Sequence, residues 1–109
     1  GKLYFHKNGT YQNSGDPTSG STGTGAINIS SASSPPTGDG ATGFYFPSAA
    51  FWDSTYNGTL SVNFGNGYFG TTAVSSAQNP DDGIGIFEYD PPAGYRALCT
   101  KSINAQEYS

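Results

Sequence analysis

At 109 residues, with a net charge of −4, 34% hydrophobic residues and 11% charged ones, the chain has room for one domain at most. Its four basic residues (Lys2, Lys7, Arg96, Lys101) cannot make a phosphate-tracking stripe, and no apolar run approaches the roughly 20 residues that span a bilayer, so neither nucleic acid nor membrane is expected as a partner. Low hydrophobicity alone would suggest disorder, but disorder also wants a high net charge; aromatics at 15% let a few large rings replace many aliphatic side chains. The chain opens on Gly1 with no signal-peptide pattern, so a processed, excised or incomplete polypeptide is expected.

The segment Lys2 to Lys7 sets Leu3 and Phe5 against Lys2, His6 and Lys7, a strand with one wet face. Asn8-Gly9 supplies the positive φ angles of a type I′ turn, and Thr10-Tyr11-Gln12 returns as the partner strand. His6 reads as a surface residue, since no second histidine exists to complete a metal site. Positions 13–25 form a polar loop, and Ala26 to Ser30 alternates as a short strand. A second Ser/Pro/Gly loop runs from Ser31 to Thr42. Gly43 to Phe46 reads as a strand closed by Pro47. Thr59 to Phe64 reads as another, with Leu60, Val62 and Phe64 turned inward. Ile84 to Tyr89 is the last strand, and the tail over 91–109, opening on Pro91-Pro92, is expected to be extended. Cys99 is alone and cannot form an internal disulfide; a small buried thiol is its expected role.

Four segments resemble SPRY domains, a branch of the concanavalin A-like β-sandwiches. Gly1-Lys2-Leu3-Tyr4-Phe5-His6-Lys7-Asn8-Gly9 is similar to the family's "G-x-L-x-F-x-K-N-G" hairpin, and Tyr45-Phe46-Pro47-Ser48-Ala49 to its "Y-Y-P-A-V" strand. Leu60-Ser61-Val62-Asn63-Phe64-Gly65 resembles "V-x-x-N-F-G". Phe87 to Thr100 resembles the "F-x-Y-x-P-P-x-G-F-K-A-L-x-T" ending of SPRY-like domains in tailed-phage virion proteins. The resemblance implies an all-β antiparallel sandwich, or jelly roll, with long Gly/Ser-rich loops and an extended C-terminal tail. Residues 1–109 would be a single domain corresponding to the C-terminal half of a larger one. It further implies a virion location, with other virion proteins or copies of the same chain as partners.

Catalytic chemistry has little to draw on. A hydrolytic triad lacks a motif, and Asp53, Asp81, Asp82, Glu88 and Asp90 read as solvated or turn-capping acids, so no enzyme and no cofactor is expected. Asn79, Asp81 and Asp82 offer hard oxygens to calcium, though not at the spacing of a known calcium loop. Trp52, Asp53, Tyr56 and Asn57 place aromatic faces beside a carboxylate and an amide in one loop, the parts of a carbohydrate platform; the alternative is that Phe51 and Trp52 plug the end of a sandwich. The expected function is therefore a non-enzymatic structural module of a phage particle, as a capsid decoration, tail or fibre component. A receptor-binding, lectin-like domain for host glycans is the rival.

Overall fold

The computed structural model describes residues 1–31, 45–55 and 57–108. The chain divides into two compact units, Gly1–Leu60 and Ser61–Ser109. Among the described residues regular structure is sparse: six strands of two residues each, β1 (Lys2–Leu3), β2 (His6–Lys7), β3 (Thr10–Tyr11), β4 (Ile27–Asn28), β5 (Tyr68–Phe69) and β6 (Thr72–Ala73), two single 3-10 turns (Gln12–Ser14 and Gly20–Thr22), and one α-helix, α1 (Thr100–Glu107). Among the described residues no helix is long and apolar enough to cross a membrane.

In the first unit β2 and β3 form the expected antiparallel hairpin, with His6 opposite Tyr11 and Lys7 opposite Thr10. Asn8 and Gly9 hold φ 49° and 84° at its corner, the left-handed pair whose twist matches that of the flanking strands. The rings of His6 and Tyr11 meet edge to face across the ladder at 5.6 Å. β1 pairs antiparallel with β4, Leu3 opposite Ile27 and Lys2 opposite Asn28, and the Lys2 ammonium donates to Asn28 Oδ1 at 2.6 Å. The intervening polar loop has no apolar core and closes through its own side chains. Asp16 Oδ1 accepts from the Thr18 amide at 2.9 Å and from its hydroxyl at 2.6 Å. Ser19 Oγ donates to the Asp16 carbonyl and accepts the Thr24 amide at 2.9 Å. Short oxygen-bearing side chains satisfy peptide groups that no ladder reaches.

In the second unit β5 and β6 form a hairpin that the sequence reading lacks, Tyr68 opposite Ala73 and Phe69 opposite Thr72. Asn63 acts as a latch: its Oδ1 accepts the amides of Gly65 at 2.8 Å and Gly67 at 3.3 Å, and its Nδ2 donates to the Ile86 carbonyl at 3.0 Å. Gln78 and Phe87 exchange both peptide hydrogen bonds at 2.8 Å. The enclosed side chains are small: Ala97 is 4% exposed and Ser102 1%. A methyl added at Gly85 would stand 3.0 Å from both the Ala97 Cβ and the Phe87 ring, so the chain is closely packed here without large residues. α1 is fastened by Asp82, whose Oδ2 accepts the Ser102 hydroxyl at 3.2 Å and the Arg96 guanidinium at 3.3 Å.

The sandwich expected from the alternating segments is not formed. Three separate two-stranded pairs replace a layered sheet, and the 43–46 and 59–64 segments contribute no strand among the described residues, Gly43 and Phe44 lying outside them. Ile84–Tyr89 supplies only isolated bridges, at Ile86 and Phe87. Leu60, Val62 and Phe64, read as inward, are all exposed, Val62 by 66%. Alternation decides which side chains share a face; it does not supply a second sheet to cover that face. Gly, Asn, Ser or Pro recurs every few residues and ends each ladder after two rungs. The tail is not extended throughout either, since residues 100–107 are helical.

Candidate functional site

The loop singled out for carbohydrate lies in the first unit. Trp52 is fully exposed, at 101%, and Phe46 nearby in sequence at 74%. Phe51 behaves differently: its ring lies over Gly58, where an added Cβ would stand 2.6 Å from it. Phe51 therefore packs locally while Trp52 faces solvent, and the reading of both as plugs of a sandwich end fails for Trp52. Asp53 Oδ1 accepts the Thr55 amide at 2.7 Å. That bond, with help from the Thr55 hydroxyl, holds the Asp53 carboxyl below the ordinary carboxylate range. Asn57 is exposed and Tyr56 lies outside the described residues. The loop thus sets an open indole beside an ionised carboxylate.

A concavity lies wholly within the second unit, an open groove of about 640 Å³. It is lined by the apolar Val62, Phe64, Ile84 and Ile86 together with Cys99, Lys101, Asn66 and Asn79. The volume falls within the range of small-ligand clefts, and the mixture of apolar wall and few polar groups is typical of them. The groove exists because the Asn63 latch draws 63–67 against 84–86, and because Asp82 holds the start of α1 in place. Sequence reasoning placed Asn63 in an alternating strand and in the segment resembling "V-x-x-N-F-G", and gave its side chain no role. Its position just before Phe64-Gly65 was the available signal, since a side-chain amide followed by glycines often bridges a turn. Cys99 is half-buried rather than enclosed.

Three acids of the second unit, Asp81, Asp82 and Glu88, hold main-chain amides. Asp81 Oδ2 accepts the Gly94 amide at 3.2 Å and Asp82 Oδ1 the Ile84 amide at 3.0 Å, while Asn79 donates to the Gly85 carbonyl at 2.8 Å. These three, considered for calcium, each hold a main-chain group instead. Among the described residues no group of three or more His, Cys, Asp or Glu could hold a metal ion. Both Glu88 oxygens engage Ser75, one its amide at 2.7 Å and the other its hydroxyl, and Ser75 lowers the Glu88 carboxyl below its usual range. No protein-family model matches the chain, and no curated protein or solved structure matches it either.

Proposed function

We propose that this chain is a non-enzymatic structural and interaction module that completes its apolar interior against neighbouring chains, copies of itself included, in a phage particle as a decoration, tail or fibre component. One observation carries the reading. Among the described residues Ala97 is, Pro80 apart, the only buried apolar side chain, while Phe5, Phe46, Trp52, Val62, Leu98 and fourteen others of large size face solvent. With so few large side chains enclosed in either unit, the exposed rings supply the aromatic anchors on which interfaces are built. Asp81, Asp82 and Glu88 hold main-chain amides of Gly94, Ile84 and Ser75, a structural use of these carboxylates that favours a binding role over a catalytic one. The particle context rests on the likeness of Phe87 to Thr100 to the ending found in tailed-phage virion proteins.

Light scattering over a concentration series, paired with hydrogen exchange, tests it. A defined assembly should form, and amides of 57–64 should exchange more slowly within it. A monomer at every concentration, with those amides already protected, would overturn the proposal.

The full exposure of Trp52 beside the Asp53 carboxylate favours a second reading, that this loop recognises host glycans. An indole face stacks on the apolar side of a sugar ring, and the carboxylate accepts from its hydroxyls. Binding on a glycan array that disappears in Trp52→Ala, with the hairpin intact, is the expected result. Absence of binding across diverse glycans leaves the assembly role alone.

A further inference from the structure

We infer that Asn8 is a site of self-catalysed conversion to aspartate and isoaspartate, with His6 as the general base. The chain holds three Asn-Gly pairs, Asn8-Gly9, Asn57-Gly58 and Asn66-Gly67, and a single histidine. In such pairs the glycine nitrogen is the nucleophile that attacks the asparagine side-chain carbon, because no β-carbon on the glycine obstructs its approach. At the first pair alone the nucleophilic N–H points at a base: the Gly9 amide donates to His6 Nδ1 at 3.1 Å. This is within the reach required of a general base from the proton it removes. An imidazole nitrogen that accepts a hydrogen bond is the unprotonated one, so it is able to take that proton. The turn places the base there, since His6 and Gly9 flank Asn8 across the corner of the β2–β3 hairpin.

The other two pairs differ in that respect. The Gly67 amide donates to the Asn63 side-chain oxygen at 3.3 Å, a carbonyl with negligible basicity, and Gly67 itself is buried. Gly58 lies under the Phe51 ring, with no imidazole left in the chain to serve it. Asn8 is exposed, so water reaches its side chain.

The reaction balances without any reagent beyond water. The Gly9 nitrogen forms a bond to Asn8 Cγ as its proton passes to His6 Nδ1. The imidazolium then returns that proton to the departing amide nitrogen, and ammonia leaves a cyclic succinimide. Water opens the ring at one carbonyl to give aspartate or at the other to give isoaspartate. Either product adds a negative charge beside Lys7, and isoaspartate also lengthens the main chain at the hairpin corner.

The test is to hold the full chain at neutral pH and measure the acid products at positions 8, 57 and 66 by peptide mapping and mass spectrometry. In the folded chain position 8 should convert roughly tenfold faster than either other site, less than the hundredfold or more of a base in an enclosed active site because this imidazole stands in water. In guanidinium the three rates should converge. His6→Gln should bring position 8 down to the rate at 57, with Thr10 and Tyr11 amide resonances reporting that the hairpin persists. Equal rates in folded and unfolded chain, or an unchanged rate at position 8 in His6→Gln with the hairpin present, would overturn the inference. Should that variant lose the hairpin, the folded-to-unfolded ratio of the unaltered chain decides, a value near one overturning it.

Discussion

The two units meet the same shortage of apolar side chains in different ways. Over 1–31 the first unit buries no residue, and its loop is held by Asp16, Thr18 and Ser19 bonding to nearby peptide groups. The second unit encloses Gly67, Pro80, Ala97 and Ser102, and ties distant segments together through Asn63 and Asp82. In both, polar atoms bonded to the main chain fix the conformation and the large rings take little part. Small residues can be enclosed by few neighbours, whereas a Phe or Trp buried on all sides needs a layer this composition cannot supply. The rings left outside are the ones available to another molecule.

Breaking the second unit's fastening should have the largest effect. Asp82→Ala removes the acceptor for the Ile84 amide, Arg96 and Ser102 together, and leaves the Ser102 hydroxyl enclosed without its partner. A loss of about 2–3 kcal/mol is expected in denaturant titration, with α1 fraying first in hydrogen exchange. The counterpart in the first unit is Gly25, where an added Cβ would lie 2.4 Å from the Asn13 carbonyl oxygen and 2.5 Å from Gly15 Cα. Gly25→Ala should cost roughly 1–3 kcal/mol, because main chain rather than a yielding side chain must move. Resonances of 12–25 should shift while those of 61–108 stay fixed.

Acid separates the units least. Asp16 in the first and Glu88 in the second both have lowered folded pKa values, from hydrogen bonds to Thr18 and Ser75 respectively. A lowered value means that the contribution is complete above the unfolded pKa and declines as pH falls through the folded one. Stability should therefore hold above the ordinary glutamate value of 4.5 and weaken below it. Amide shifts of Thr18 and Ser75 followed across that range check the expectation; midpoints at or above the ordinary carboxylate values would contradict it.

What could be read from the sequence follows the same division. The hairpin over 6–11 was legible because Asn8-Gly9 and the flanking alternation determine it locally. His6 is exposed as expected, but Leu3 and Phe5, which the same alternation turned inward, are exposed as well. The sandwich was not legible, because the segments resembling a known family specify local chain shape, while layering depends on partners many residues away. Leu60, Val62 and Phe64 alternate as a strand should and still find nothing to cover them. The helix over 100–107 was obscured by the Pro91-Pro92 opening of the tail and by weak amphipathicity, and its N-cap residue Cys99 makes no side-chain capping bond. Of the carbohydrate candidates, Trp52 and Asp53 sit together on an open turn. The groove beside α1 went unseen because its walls come from residues separated by up to some forty positions, joined by the Asn63 and Asp82 side chains and by the Ile86 amide bonding the Gly65 carbonyl.

The reach of these ties has a bearing on biosynthesis. The Asn63–Ile86 bond closes a span of 23 residues, and the bond from Gly1 to Ile29 one of 28. Closure cost grows slowly with such spans, by only about 0.6 kcal/mol per doubling, and contacts near in sequence favour rapid folding. The first unit can therefore take shape while the ribosome is still translating the second.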